Sequence, residues 1–278
     1  MSVWLPGAPC TPRACVERTT STASVPRAVL RFVAVVVVVL AGVVVSPLGT
    51  RIPAGVIRRW SRAVVRAAGI RVRVTGAPAP GTGGLLLVAN HISWLDIPLM
   101  ATVRPARMLA KLEIRQWPVA GAVASPACLF IDRDRLRALP ETVARIAGVL
   151  RSGQAVAVFP EGSTWCGRAQ GHFRRAVFQA ALDAGVPVQP VRIRYRYGSG
   201  AASTAPAYVG SDSLLTSLWR VTSARGLVAE VEVLPLLGPG GPADRKALAA
   251  AAGDLVLGAR PVYPRGVPHE SAALTNSR

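Results

Sequence analysis

The stretch LLLVANHISWLD, residues 85–96, joins a strand pattern to a polar turn and decides the fold class. Residues 85–89 are wholly apolar, as expected for a short strand that is buried on both faces of a sheet. His91 and Asp96 follow this strand directly. Because sites in open α/β sheets form at the carboxyl ends of strands, this junction is a candidate functional site.

Strand patterns and helical patterns alternate around and beyond this stretch. The remaining strands are predicted at residues 72–75, 154–159, 188–197 and 227–236, and helices at 140–151, 173–184 and 244–257. This alternation predicts an α/β domain with a central, mostly parallel or mixed sheet flanked by helices. We assign residues 71–257 to that domain and expect residues 258–278 to form a flexible tail.

The N-terminal part of the chain has a different composition. Residues 1–26 mix Pro, Ser, Thr and Arg without periodicity, which predicts a disordered leader. The apolar run at residues 32–45 extends with its flanks to about 21 residues, enough to cross a bilayer at about 1.5 Å per residue. We predict a membrane anchor within residues 27–70, either spanning the bilayer or only entering it. A signal peptide and a buried soluble helix are the alternatives.

An amphipathic pattern follows the apolar run. On a helix over residues 54–68, apolar side chains share one face and four arginines share the other. These arginines are Arg58, Arg59, Arg62 and Arg66. A helix of this kind is typical of the interface of an anionic membrane, although a surface helix with a solvated charged face fits as well. The arginines of residues 51–73 outnumber those of the leader, which predicts that the domain is on the cytoplasmic side of the cell membrane.

The charge of the chain favours anionic partners. The formal net charge is +19, almost all of it from arginine. Phospholipid surfaces, nucleic acids and phosphorylated substrates are all compatible with such a charge. A nucleic-acid-binding protein is disfavoured, since the chain has no zinc-finger spacing, no RNA-binding signature and only five Phe and four Tyr.

The four cysteines show neither a CxxC pair nor a spacing suited to zinc. They are Cys10, Cys15, Cys128 and Cys166. A disulfide framework is not expected in a chain of 278 residues with so few cysteines. We expect ordinary reduced residues and no metal site.

The spacing of His91 and Asp96 suits general-base chemistry. On a helical turn, the Asp96 carboxylate lies close enough to accept a hydrogen bond from one ring nitrogen of His91. That bond fixes the tautomer and leaves the other nitrogen free to take a proton. Taken alone, the pattern fits equally well a structural histidine beside a helix-capping aspartate.

Three further patterns follow or enter apolar stretches. In FPEGS, residues 159–163, Gly162 permits close backbone approach, and Ser163 suits the N-cap of a following helix that faces an anion. FIDR, residues 130–133, ends in Arg133, whose guanidinium can hold a phosphate by two hydrogen bonds. VPVQP, residues 186–190, stiffens the entrance to a strand. Each pattern alone also has an architectural explanation.

Together and in this order, the four blocks resemble the signature of the glycerophospholipid acyltransferase family, which includes the lysophosphatidic acid acyltransferases. The family's NHxxxxD, Phe-Ile-x-Arg, FPEGT/S and VPxxP blocks appear here as NHISWLD, FIDR, FPEGS and VPVQP. Lys111 and Glu113, with Pro118 and Gly121, also resemble the family's segment between the first two blocks. The resemblance covers residues 85–196.

The resemblance implies direct transfer without a covalent acyl-enzyme. His91, oriented by Asp96, would deprotonate the free hydroxyl of a lysophospholipid, which would attack the thioester of acyl-CoA or acyl-carrier protein. The residues implied in substrate binding are Arg133, Glu161, Gly162, Ser163 and Lys111. No metal or redox cofactor is implied. Lysophosphatidic acid is the first choice of acceptor, since Arg133 and the positive net charge suit a phosphomonoester.

Several alternatives stay open from the sequence. The acceptor can be another lyso-lipid, such as a lyso-ornithine lipid or a phospholipid that is being remodelled. A thioester or lipid hydrolase would use the same two residues, and a non-catalytic lipid-binding protein would not need them. The chain departs from the family pattern at Pro126 and Ala127 and again at residues 165–167, which leaves the acceptor more open than the chemistry.

Overall fold

The computed structural model describes residues 7–17, 24–79, 81–112, 128–132, 135–242 and 244–258. Within these ranges the helices α1 to α8 are Pro12–Cys15, Val25–Val45, Ala54–Ala67, Asp96–Val103, Leu139–Arg151, Ala176–Ala184, Leu214–Ser223 and Arg245–Leu257. The strands β1 to β7 are Arg71–Thr75, Leu85–Ala89, Arg107–Lys111, Cys128–Ile131, Ala155–Val158, Val188–Tyr197 and Leu227–Val233. Short 3-10 helices cover Ser46–Arg51 and Leu136–Ala138.

The strands form one mixed sheet in the order β1-β7-β6-β2-β5-β3-β4. All neighbours are parallel except β6 and β7, which run antiparallel. This confirms the predicted α/β class. Strand β7 ends at Val233 and not at residue 236, because Pro235 has no amide hydrogen to donate to a ladder.

Helices cover both faces of the sheet, and β2 shows how the two cores are separated. All five residues of β2 are buried. Leu85, Leu87 and Ala89 belong to one apolar cluster, whereas Leu86 and Val88 belong to the other. Because successive side chains of a strand point to opposite faces, a wholly apolar strand serves both layers.

The apolar helix α2 packs on the domain through a small part of its surface. The guanidinium of Arg31 donates to the carbonyl oxygens of Thr222 and Ala224 at 3.2 and 2.9 Å, at the end of α7. The indole of Trp60 on α3 donates to the carbonyl of Val38 at 2.8 Å. The apolar side chains of α2 that remain exposed are Val25, Val29, Leu30, Val33, Val36, Val37, Leu40, Val44 and Val45. Of the described helices, only Val25–Gly49 is long and apolar enough to cross a membrane.

The leader differs from the predicted disordered segment over residues 7–17. Cys10 and Cys15 are buried, and Cys15 is the last residue of α1. The carboxylate of Glu17 accepts hydrogen bonds from four groups of the domain, namely the hydroxyls of Tyr197 and Ser203 and the amides of Thr204 and Ala205. Composition does not reveal such contacts, because the partners are distant in sequence. The rest of the leader before residue 24, and the predicted tail from residue 259, lie outside the described residues.

Candidate functional site

The carboxyl ends of two neighbouring strands bring the first and third sequence blocks together. Strands β2 and β5 are parallel, with Val88 opposite Val158. The residues that follow them therefore leave the sheet at the same edge. The ring of His91 stacks on the ring of Phe159, with 4.0 Å between centroids and 8° between planes.

The His91 ring contacts a carboxylate whose two oxygens also accept hydrogen bonds from other groups. Nδ1 of His91 lies 2.9 Å from Oδ2 of Asp96, the first residue of α4. The same oxygen accepts from the amides of Ile92 and Ser93 at 2.6 and 2.7 Å, and Oδ1 accepts from the Tyr195 hydroxyl at 2.6 Å. Asp96 has no exposed surface, whereas the His91 side chain is 20% exposed. In the neutral ring this arrangement places the hydrogen on Nδ1 and leaves Nε2 as an acceptor.

Tyr195 is kept as a hydrogen-bond donor to Asp96. Burial, followed by the charge of Asp96, raises the pKa of the Tyr195 phenol well above its usual range. The phenol therefore stays protonated at neutral pH. Its hydrogen bond completes the set of donors around the Asp96 carboxylate.

Glu161 contacts the backbone of the turn that carries His91. Its Oε2 accepts from the amide of His91 at 2.7 Å, and its Oε1 accepts from the amide of Gly171 at 2.8 Å. The side chain is only 4% exposed. Gly162, next in the chain, has a φ of 78°, and its amide closes a turn on the Phe159 carbonyl at 3.1 Å. Both carboxylate oxygens of Glu161 thus accept hydrogen bonds from the protein backbone, and its role in binding the acceptor stays a prediction.

Glu161 is expected to make the stability of the fold depend on pH. Burial raises the pKa of its carboxyl to about 8 from 4.5. Because the folded state holds this proton more tightly, the contribution of Glu161 is fully present below about pH 4.5 and is lost as the pH rises through about 8. We expect the free energy of unfolding to fall more steeply between about pH 6 and about pH 9 in the wild type than in Glu161→Gln. Denaturant titrations in detergent at both pH values measure this, and equal slopes in the two proteins would contradict it.

The structure places the other residues predicted to bind substrate in different positions relative to His91. Ser163 is half-buried, but an irregular segment follows it and the next helix begins at Ala176, so the prediction of a helix cap there is wrong. Lys111 ends β3, a parallel neighbour of β5, and therefore lies at the same sheet edge as His91. Arg133 lies outside the described residues, as do Glu113, Pro118 and Gly121.

Other contacts at the site were not predicted from the sequence. Asn90 bridges β2 to β6, since its side chain donates to the Ile193 carbonyl at 2.9 Å and accepts from the Ile193 amide at 2.8 Å. The amide of Trp165 donates to the His91 carbonyl at 2.7 Å. Asn90 lies in the quoted block, but Tyr195 lies on the buried face of β6 with Val191 and Ile193, and no neighbouring pattern distinguishes it from a core residue.

One group of described side chains has an arrangement suited to a metal ion. The sulfur atoms of Cys10, Cys15 and Cys166 lie within 4.8 Å of one another, and all three residues are buried. No CxxC pair or zinc-like spacing in the sequence indicates this convergence, because it depends on the docking of the leader.

Comparison with known proteins places the chain in a family. A family model described as "Acyltransferase" matches residues 71–194. A 1-acyl-sn-glycerol-3-phosphate acyltransferase of Neisseria meningitidis is 38% identical over 189 residues, which are 67% of this chain and 73% of that protein. A lyso-ornithine lipid O-acyltransferase of Pseudomonas aeruginosa is 37% identical over 216 residues, which are 77% of this chain and 80% of that protein.

The fold has a counterpart among solved structures. The crystal structure of the 1-acyl-sn-glycerophosphate (LPA) acyltransferase PlsC from Thermotoga maritima matches with a TM-score of 0.56 and 20% sequence identity. The match covers 80% of this chain and 92% of that one. The sequence relatives and this shared architecture agree with the blocks at the sheet edge. The chain is an enzyme of the acyltransferase family that includes the 1-acyl-sn-glycerol-3-phosphate acyltransferases.

Proposed function

We propose that this enzyme transfers a fatty acyl group from acyl-CoA or acyl-carrier protein to the free hydroxyl of lysophosphatidic acid, giving phosphatidic acid. His91 is the general base of the proposal. The contact between His91 and Asp96 is the observation that carries it: a buried, hydrogen-bonded carboxylate orients a ring whose side chain is 20% exposed. That combination suits an imidazole that takes a proton from a substrate.

In this mechanism, Nε2 of His91 removes the proton as the acceptor oxygen attacks the thioester carbonyl carbon. A C–O bond forms, the C–S bond breaks, and the thiolate leaves with the proton that His91 returns. Asp96 stabilises the imidazolium in between, because its carboxylate lies 2.9 Å from Nδ1. No step requires a metal or redox cofactor.

Two acceptors have support. The net charge of +19 and Arg133 favour an acceptor with a phosphomonoester, as does the activity for which the Neisseria relative is named. A lyso-ornithine lipid is the second candidate, because the Pseudomonas relative named for that acceptor matches a larger share of this chain, 77% against 67%.

An acceptor panel tests the proposed reaction. The full chain in detergent or membranes is incubated with labelled acyl-CoA and, separately, with lysophosphatidic acid, lyso-ornithine lipid or no acceptor. Mass spectrometry then measures the acylated product and free fatty acid. We expect phosphatidic acid as the main product. Acylation of lyso-ornithine lipid alone would establish the second candidate, and acceptor-independent release of fatty acid would point to a hydrolase.

We also infer that the N-terminal helices attach the enzyme to an anionic phospholipid membrane, with the domain on the cytoplasmic side. The exposed apolar face of α2 continues into Leu214, Leu215 and Trp219 on α7, and α3 adds exposed arginines beside it. Because the leader and α2 both pack on the domain, entry into one leaflet is favoured over a full crossing. A crossing helix would separate residues 7–17 from the domain that they contact.

Charged residues on the exposed face of α2 are expected to release the protein from membranes. Leu30, Val37 and Val44 are 69%, 58% and 79% exposed, so aspartate at these positions disturbs little internal packing. Each apolar side chain that is no longer buried in lipid costs about 1.5–3 kcal/mol, so the triple variant should bind anionic vesicles at least about tenfold more weakly. Vesicle flotation measures the bound fraction. Leu236→Asp, an exposed apolar position elsewhere, is the matched control, and equal binding of the two variants would contradict this attachment.

A further inference from the structure

Three of the four cysteines converge in the interior. Cys10, Cys15 and Cys166 are 2%, 3% and 2% exposed, and their sulfur atoms lie within 4.8 Å of one another. We call them the three-cysteine cluster. No His, Asp or Glu of the described residues belongs to it. Cys128 lies apart from it on β4. Buried thiols at this spacing, contributed by two distant segments, are an arrangement that soft metal ions bind.

The leader is held on the domain from both ends of its described part. Gly210 has a φ of 59°, and a Cβ at that position would lie 3.0 Å from the carbonyl oxygen of Cys10, so glycine permits the close approach. At the other end, the amide of Glu17 donates to the Thr204 hydroxyl at 2.9 Å, and its carboxylate accepts the four bonds described above. These contacts present the leader thiols to Cys166 without any help from the cluster itself.

We propose that the three-cysteine cluster binds one thiophilic divalent metal ion, with Zn²⁺ as the expected ion. A Zn–S distance of about 2.3 Å places ligand sulfurs about 3.8 Å apart, so the thiols need to move by no more than about 1 Å. On binding, three S–metal bonds form, and the thiols that are still protonated release their protons to solvent. The resulting unit of three thiolates and a divalent cation carries one negative charge, and a ligand from outside the cluster, such as a bound water molecule, would take the fourth coordination position.

The bound ion would join the leader to the turn that carries His91. Cys166 directly follows Trp165, whose amide donates to the His91 carbonyl. Gly167 lies against the Ile92 side chain, since a Cβ added to this glycine would lie 3.3 Å from the terminal carbon of that side chain. A metal at the three-cysteine cluster would therefore fix the backbone that directly follows His91, as a structural site and not as a reactant.

Metal content of the purified full chain tests the proposal without reference to activity. The protein in detergent is reduced, incubated with Zn²⁺ and desalted, and metal per chain is measured by mass spectrometry. We expect about one Zn²⁺ in the wild type and in Cys128→Ser, and close to none in Cys10→Ser or Cys166→Ser. Circular dichroism checks that each variant is folded.

The absorption of bound Co²⁺ provides a second test, which needs no cysteine variant. Co²⁺ bound by several thiolates shows an intense sulfur-to-metal charge-transfer absorption, which we expect to saturate at about one ion per chain and to disappear on addition of Zn²⁺. A wild type that retains no more Zn²⁺ than Cys166→Ser, or that shows no such absorption, overturns the proposal. So does an intramolecular disulfide within the cluster in a protein that binds no metal after reduction.

Discussion

His91→Ala is expected to lower the rate of acyl transfer at least about 100-fold while the protein stays folded, because a positioned general base contributes about 10²–10⁴ in rate. The fold should tolerate the change. The ring stacks on Phe159 at the surface of the site, and its removal leaves no donor or acceptor buried without a partner. Asp96 keeps the amides of Ile92 and Ser93 and the Tyr195 hydroxyl as donors.

Initial rates of phosphatidic acid formation at saturating donor and acceptor measure this effect. Thermal unfolding and vesicle binding of the same preparation show whether fold and membrane attachment are retained. A variant that keeps more than about a tenth of the wild-type rate would remove His91 from the mechanism, because no general base contributes so little.

Asp96→Asn is expected to lower kcat by about 100-fold or more and to change KM little. Asparagine has nearly the same shape, but it lacks the negative charge that stabilises the imidazolium of His91 during proton transfer. Its NH2 group also replaces an oxygen that accepts hydrogen bonds, so one of the present donors loses its acceptor. Since Asp96 has no exposed surface, it does not contact the acceptor, and substrate affinity should be nearly unchanged.

Two comparison variants separate charge from geometry. Tyr195→Phe removes one hydrogen bond to the same carboxylate and keeps its charge, so its loss of kcat should be clearly smaller than that of Asp96→Asn. Asp183→Asn makes the same chemical change at an exposed position of α6, where the carboxylate accepts from Gln179, and should leave kcat unchanged. Equal losses in Tyr195→Phe and Asp96→Asn would show that the carboxylate acts through packing and not through charge.

The parts of the fold predicted most accurately from the sequence are those with local signals. Strand β2 and strand β6 begin and end at the predicted residues. Strand β2 is an apolar run between Gly84 and a polar turn, and β6 alternates large side chains between Pro187 and Gly198. Helix α7 was not predicted, although Ser213 caps it by accepting from the Thr216 amide at 3.1 Å. Its residues mix apolar and hydroxyl side chains, which weakens the helical pattern.

Local sequence patterns do not predict contacts between segments that are distant in the chain. The polar composition of the leader predicts disorder, yet the carboxylate of Glu17 accepts hydrogen bonds from four groups of the domain. Nothing in the FPEGS block indicates that the two oxygens of Glu161 accept the backbone amides of His91 and Gly171. In each case the tertiary fold determines the hydrogen-bond partner, and the neighbouring sequence does not indicate which residue that partner is.

By itself, the sequence determined the α/β class, the apolar N-terminal helix and the position of His91 and Asp96 after a buried strand, since each depends on residues within a few positions of one another. Only the tertiary structure decided that Tyr195 completes the hydrogen bonds of Asp96 and that Cys166 meets the two leader cysteines. The physical reason is that a buried carboxylate or thiol takes its partners from whichever strands and loops the packing brings next to it.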